Sequence, residues 1–407
     1  MKNILYLGRF YPKNLLKTLF EDSKGKAGMS NHNFEMSLLN GLCLQDNIHL
    51  KCVTIPGVFS YPYNNKKIYT YSEEYAYKNT FIHSAGFCNL PVIKDFWATR
   101  NCVKVISKII DDFDSGDDIH VVINTPSTIL MDALNIVRKK YSRRFTQTVI
   151  IPDIPSMITS MDNPNPIKHY LLDRINERAM EMTSNSEGLV VLTEAMMEFI
   201  TKPVKHIVME GIVDIETMDK IGAEEASNKK IILYTGTLRK IFGVVNLVDA
   251  FQKIPDKDAE LWICGSGDSK EYIQEAARQD YRIKFFGLVD SKTALEMQHK
   301  ATILVNPRTS EGEFTKYSFP SKTMEYLLAG KSVVINRIPG IPEEYFNYVY
   351  TPKDESIEAL AECLLDVLHL DSDIREKRAL DGRNFIVEKK NSKVQVKRII
   401  ELINSYN

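Results

Sequence analysis

At 407 residues the chain is long enough for two domains. Its 44% hydrophobic and 26% charged residues are those of a globular protein and exclude disordered and fibrous classes. Lys+Arg (52) and Asp+Glu (53) balance to a formal charge of -1, which argues against a nucleic-acid partner. No apolar run reaches the ~18–20 residues of a membrane span. The start, Met1-Lys2-Asn3-Ile4-Leu5-Tyr6-Leu7-Gly8-Arg9, has too short an apolar stretch for a secretory signal. The six cysteines form no C-x-x-C pair and are expected to be reduced core residues of a cytoplasmic protein.

In chain order, short β-branched runs at 4–7, 50–55, 120–123, 148–151, 189–192 and 207–210 read as strands, with helical segments such as 33–44, 104–113 and 130–141 between them. Residues 63–91 are aromatic and polar without period, and read as loop with short elements. A polar stretch at 214–230 interrupts the pattern. Strands then follow at 231–235, 261–265, 283–286, 303–306 and 332–336, with helices at 244–253, 272–278, 292–299, 322–328 and 357–368. Near-continuous apolar strands alternating with helices indicate an α/β fold with parallel sheets buried on both faces. The expected organisation is two Rossmann-like domains, 1–212 and 230–389, joined by a linker at 213–229. Val394, Val396, Ile399, Ile400 and Ile403 give the C-terminal 390–407 a helical spacing.

The strongest local signal is Ser318-Phe319-Pro320-Ser321-Lys322-Thr323-Met324-Glu325-Tyr326-Leu327-Leu328-Ala329-Gly330-Lys331. Pro320-Ser321 opens a helix that Ser321 can cap, and Glu325 lies one turn in. Free amides at such a start suit a diphosphate, whereas an ordinary capped helix would leave Glu325 merely solvated. Spacing alone leaves both readings open.

This segment resembles the donor-binding signature of the family 4 retaining glycosyltransferases of the GT-B fold, in the branch that reads SFPSK..EY...GK.VV. Tyr234-Thr235-Gly236-Thr237-Leu238, Ile263-Cys264-Gly265-Ser266-Gly267, Phe285-Phe286-Gly287-Leu288-Val289 and 301–307 match in order and spacing. The resemblance covers about 188–370 well and the first half weakly. It implies two Rossmann-like domains facing across a cleft, with the C-terminal helix crossing back to the first. It implies a nucleoside diphosphate sugar, UDP- or GDP-linked, as donor substrate, with no metal or other cofactor. Glu325 would bind the ribose hydroxyls. Ser318, Phe319, Pro320, Ser321 and Lys322 would meet the sugar and diphosphate, Ser318 and Phe319 at the reacting end. Phe286, Leu288 and Val289 would lie along the base, and Gly236 and Gly265 would let backbone approach the donor.

The chain departs from the pattern at three positions. The first glutamate of the family's pair, eight residues before the second, is Tyr317 here, with Glu311, Glu313 and Lys316 nearby. The two diphosphate-binding cations are Thr237 and Phe242 here, with Arg239 and Lys240 in the same loop as candidate replacements. In the first half, Gly28 and Met29 precede a helix, at the place of a family loop that reaches the donor phosphate. His32 reads as a residue of the helix-cap region. Asp153, in Pro152-Asp153-Ile154-Pro155 at a strand's carboxyl end, is the candidate side chain for the transferred sugar. Glu194 starts another helix there, and capping explains it equally well.

Asp111-Asp112-Phe113-Asp114-Ser115-Gly116-Asp117-Asp118 contains D-x-D but reads as a solvated acidic loop. The run Arg138-Lys139-Lys140-Tyr141-Ser142-Arg143-Arg144 reads either as a cationic helix end or as a contact with anionic lipid headgroups. The expected function is therefore sugar transfer to a glycan or lipid-linked acceptor, in bacterial capsular, exopolysaccharide or other surface-glycan synthesis, in the cytoplasm or at the inner face of the membrane. The alternatives are a GT-B sugar-nucleotide epimerase and a non-catalytic sugar-nucleotide-binding partner of another transferase. A dinucleotide oxidoreductase is disfavoured, because no G-x-G-x-x-G follows the first strand.

Overall fold

The computed structural model describes residues 1–23, 29–63, 65–113, 118–157, 166–215 and 229–406. Gly28, most of the expected linker and Asp114–Asp117 of the acidic run lie outside them. The chain forms two compact units, 1–212 with 392–407, and 213–391.

In the first unit the elements are β1 (Lys2–Gly8), α1 (Lys13–Asp22), α2 (Met29–Cys43), β2 (Ile48–Thr54), β3 (Glu73–Tyr77), β4 (Thr80–Ser84), α3 (Lys94–Ile110), β5 (Ile119–Asn124), α4 (Thr128–Arg138), β6 (Phe145–Ile151), α5 (Pro166–Thr183), β7 (Gly188–Val191) and β8 (Lys205–Val208). The sheet order is β3-β4-β2-β1-β5-β6-β7-β8. All neighbours are parallel except the β3–β4 hairpin. Ile4, Leu5, Tyr6 and Leu7 are all fully buried, because β1 is central and covered on both faces.

The second unit runs β9 (Lys230–Thr235), α6 (Val244–Gln252), β10 (Ala259–Cys264), α7 (Lys270–Gln279), β11 (Ile283–Gly287), α8 (Ser291–Lys300), β12 (Ile303–Asn306), α9 (Lys322–Leu328), β13 (Ser332–Ile335), α10 (Ile357–His369) and α11 (Ser372–Lys389). Its sheet is wholly parallel, in the order β11-β10-β9-β12-β13. The last helix, α12 (Ser392–Asn404), belongs to the first unit, with Val396, Ile399, Leu402 and Ile403 in the core that includes Leu38 and Leu42 of α2. Gly41 permits that approach: a Cβ there would stand 2.3 Å from the Ser392 carbonyl oxygen.

Several elements depart from the sequence reading. The 63–91 segment contains the β3–β4 hairpin, whose two-residue turn places Lys78 at φ 49 without the glycine that usually signals such a turn. α3 starts ten residues before 104 because its first turns expose Phe96 and Trp97, which blurs the apolar period. α1, α5 and α11 were not anticipated; α11 buries only Ala379, Gly382, Phe385 and Ile386 over 18 residues.

The basic run is partly committed to the fold. Arg138 donates to the Phe145 carbonyl at 3.4 Å, and Arg143 donates to the carbonyls of Ile110 at 3.5 Å and Phe113 at 3.2 Å. Arg144 pairs with Asp118 at 3.6 Å. Arg138 and Arg143 thus close strand and helix ends, while Lys139, Lys140 and Arg144 stay exposed. Asp112 of the acidic run pairs with Lys51 at 3.4 Å.

Candidate functional site

In the second unit, the chain leaves β9 toward β10 and β11 on one side and returns to β12 and β13 on the other. The carboxyl ends of β9 and β12 therefore flank a topological switch point, where open α/β sheets bind ligands. Two loops line it, after β9 and after β12.

The loop after β9 is zipped to the loop after β10. Gly236 N–H donates to the Cys264 carbonyl at 3.0 Å, Leu238 N–H to Ser266 at 2.9 Å, and Ser269 N–H to Leu238 at 2.9 Å. Gly265 has φ 144, and a Cβ on it would lie 1.8 Å from the Gly236 oxygen. Gly265 is thus required by loop packing. Gly236 has milder demands: its Cβ would meet the Tyr234 hydroxyl at 3.1 Å.

Glu325 stands in the first turn of α9. Gln298 Nε2 donates to its Oε1 at 2.6 Å, and Lys322 Nζ donates to Oε1 at 2.7 Å and Oε2 at 2.8 Å. Gln298, fully buried on α8, also donates to Thr235 Oγ1 at 3.2 Å. The next residue, Tyr326, accepts from Thr235 N–H at 2.9 Å and donates to the Thr235 carbonyl at 3.1 Å. Burial pushes the Tyr326 phenol far above its ordinary value, so it stays a neutral hydroxyl that both donates and accepts. This network ties α9 to the end of β9 and fixes the carboxylate, whose side chain remains 30% exposed. Oε2 keeps lone-pair capacity for a donor from outside.

The loop after β12 carries Arg308, which the sequence reading missed. Arg308 Nη2 donates to Ser318 Oγ at 2.8 Å, and Ser318 Oγ donates to the Phe314 carbonyl at 2.9 Å. The guanidinium lies 4.5 Å from the Phe314 ring centroid and 5.3 Å from that of Phe242. The signal that could have found it is an arginine placed two residues past a predicted strand, at the ligand-binding end of the sheet.

The other expected residues distribute as follows. The Phe319 ring is buried against Tyr345, with centroids 5.3 Å apart, so its backbone alone can face a ligand. Pro320 is buried. Ser321 is not a side-chain cap: it already has helical φ -52 and ψ -27, and its hydroxyl makes no capping bond. The Thr323 amide is spent on the Pro320 carbonyl at 2.8 Å. Arg239 lies 6.0 Å from the Phe242 ring, and the Lys240 amide is held by Asp268 at 2.9 Å. Glu311 and Glu313 are exposed, and Lys316 lies over the Tyr317 ring at 5.2 Å. Phe286, within β11, and Leu288, just after it, are exposed, with the Phe286 ring 5.3 Å from Trp262, and Val289 packs on the core. Lys322 and Glu325 are thus in contact, and Ser318 meets Arg308. At the other end of the sheet, a hollow lined in part by Gln252, Pro255, Lys257 and Arg282 has its guanidinium committed to Asp280 and to the carbonyls of Ile254 and Asp256.

The first unit has its own switch point, between β1 and β5. Beneath it lies Glu35, fully buried and also missed. Both of its oxygens accept from the Arg9 amide, at 3.1 and 3.0 Å, and Oε2 accepts from the Tyr6 hydroxyl at 3.1 Å. Burial pushes its carboxyl up to about 7, against the opposing pull of these hydrogen bonds. His32 Nδ1 accepts from the Tyr11 amide at 3.3 Å, and burial lowers its basicity, so it serves this loop as a neutral acceptor. Met29 is the first residue of α2, not part of a loop. Asp153 is exposed at the carboxyl end of β6. Glu194 pairs with His206 at 3.0 Å.

Comparison with known proteins gives these loops a context. Residues 229–369 match the family model described as glycosyl transferases group 1. An uncharacterized glycosyltransferase of Methanocaldococcus jannaschii is 29% identical over 127 residues, 30% of each chain. Another from the same organism is 25% identical over 223 residues, 49% of this chain and 55% of that one. The matches thus span about a third and about half of these relatives' lengths. Among solved structures, sucrose-phosphate synthase of Thermosynechococcus elongatus aligns with a TM-score of 0.61 at 14% identity, covering 99% of this chain and 98% of that one. Anabaena HepE, solved in complex with UDP, gives 0.60 at 14% identity with full coverage of both. The lipopolysaccharide outer core galactosyltransferase WaaB gives 0.60 at 16%, again with full coverage. The fold is that of the GT-B glycosyltransferases, two Rossmann-like domains, and the second carries the group 1 match.

Proposed function

We propose that the protein is a retaining glycosyltransferase that moves a sugar from a nucleoside diphosphate sugar to a hydroxyl of a glycan or lipid-linked acceptor. The observation that carries this is Glu325, held by Gln298 and Lys322 at the β9/β12 switch point with its side chain still 30% exposed. A carboxylate fixed in this way suits the paired hydroxyls of a ribose. The donor base runs along Phe286, Leu288 and Val289, and the diphosphate and sugar lie against Gly236, Gly265 and Ser318–Ser321. The UDP complex of the Anabaena protein supports UDP as the first nucleotide to try. In the reaction the departing diphosphate gains charge, and fixed amides and cations stabilise it. We place the acceptor on the first unit, with Asp153 oriented to the transferred sugar. Same-face displacement, with the leaving phosphate oxygen taking the acceptor proton, accounts for retention without an enzyme nucleophile.

A bilayer contact belongs to the same reading, and exposed apolar side chains of the first unit support it. Phe59, Tyr63, Tyr71, Val92, Phe96 and Trp97 are exposed on the segment that precedes and opens α3. Exposed aromatics of this kind suit a membrane interface, and a lipid-linked acceptor would be met there. The test is a screen of nucleoside diphosphate sugars with purified protein and lipid-linked hydroxyl acceptors. Product whose anomeric configuration matches the donor supports the proposal. Inverted product refutes retention, and no transfer with any donor refutes the activity.

A further inference from the structure

We propose that Arg308 is the cation that meets the donor diphosphate, in place of the charge missing at position 242. The inference rests on the proposed donor site and adds to it a residue and a role.

The loop geometry comes first. Arg308 lies two residues beyond β12, and its backbone is pinned there: Asn336 Nδ2 donates to the carbonyls of Pro307 at 3.3 Å and Arg308 at 3.2 Å. The loop after β9 closes on the same point. Gly243 has φ 76, and a Cβ on it would lie 2.1 Å from the Pro307 oxygen. The two switch-point loops therefore touch at Gly243 and Pro307, one residue away from Phe242 and Arg308 respectively.

The side chains follow from that contact. Phe242 occupies the position where the resembling family carries a diphosphate-binding lysine. Its ring lies 5.3 Å from the Arg308 guanidinium, and Phe314 lies 4.5 Å from it. Aromatic faces hold a guanidinium plane by cation–π attraction and keep bulk water away. Ser318 fixes one Nη at 2.8 Å. Ser318 is also the first residue of the segment proposed to hold the diphosphate and sugar. A positive charge supplied by the neighbouring loop thus stands where the loop after β9 lost one. At 9% exposure the group is largely desolvated, which strengthens its attraction for a phosphate and weakens salt screening. A guanidinium also offers a planar fork that matches two phosphate oxygens. Arg239, 6.0 Å from the same ring, is the outer and more exposed cation.

Calorimetric titration of wild type, Arg308→Lys and Arg308→Gln separates this role from a structural one. The probes are UDP and GDP, each against its own nucleoside. For the nucleotide that binds, Arg308→Gln should weaken nucleoside diphosphate binding about tenfold or more and leave nucleoside binding within about twofold. Arg308→Lys should recover part of the loss. A merely structural arginine would weaken both probes equally, and that result, or no change in either, overturns the proposal. If Arg308→Gln does not fold, a crystal structure of wild type with the nucleoside diphosphate decides: a guanidinium nitrogen within hydrogen-bonding distance of a phosphate oxygen supports it, and a separation beyond about 5 Å overturns it. Wild type that binds neither probe would refute the donor site itself, a failure distinct from these.

Discussion

Glu35 offers a sharp test of how the first unit is built. It is a fully buried carboxyl under the loop that follows β1, and burial raises it from an ordinary 4.5 to about 7. The folded form therefore holds a proton that the unfolded chain releases between those values. Its contribution to stability is complete below about pH 4.5 and is lost as pH rises through about 7. At ~1.4 kcal/mol per pH unit of displacement, the loss amounts to roughly 3 kcal/mol. Glu35→Gln cannot ionise, so that slope should vanish. An amide also places a donor against the Arg9 N–H, which adds an offset, so the diagnostic is the pH dependence and not the absolute difference. Tyr6, Asn31, Asn124 and Arg9 face the group and remain in both proteins. His32, lowered by burial, stabilises in the opposite direction as pH rises, and cancels in the comparison. The assay is urea unfolding from pH 4.5 to 8. The chain has two tryptophans, Trp97 in the first unit and Trp262 in the second, so a Trp262→Phe background reports the first unit alone. The variant should gain on the parent by about 3 kcal/mol across that range. Parallel curves would refute the reasoning.

Gly265→Ala should destabilise the second unit by ~2 kcal/mol or more, since a Cβ would stand 1.8 Å from a carbonyl oxygen at φ 144. Gly236→Ala, which meets only a tyrosine hydroxyl at 3.1 Å, should cost clearly less, and equal thermal shifts would contradict the packing described. Phe96→Ser with Trp97→Ser should abolish sedimentation with anionic vesicles while leaving the melting temperature nearly unchanged, because both side chains are exposed. Undiminished vesicle binding by the double variant would remove this surface from the proposed membrane contact.

The strands were legible because a parallel sheet covered on both faces writes itself as continuous apolar runs, as in β1 and β9. The β3–β4 hairpin was hidden because Lys78 takes a left-handed turn conformation usually signalled by glycine or asparagine. α11 was hidden because it rests four residues on the core and leaves a charged surface outward. At the donor site, Glu325 was readable from a motif, but its partner Gln298 comes from another helix, 27 residues away. Arg308 is a bare arginine in a loop until the fold brings Phe242 and Phe314 to its faces. Glu35 shares the helical spacing of Leu38, Leu39 and Leu42, which marks it in the sequence as facing the core. The expected cap at Ser321 failed because the chain is already helical there.

The most direct measurement is titration of UDP and GDP into wild type and Glu325→Ala. If Glu325 seats the ribose, one of the two nucleotides binds the wild type. The variant then loses roughly 1.5–3 kcal/mol of that affinity, the worth of a charge-assisted hydrogen bond, with little change in melting temperature. Equal affinity in a folded Glu325→Ala protein, or no binding of either nucleotide to the wild type, would contradict the assignment of the β9/β12 switch point as the donor site.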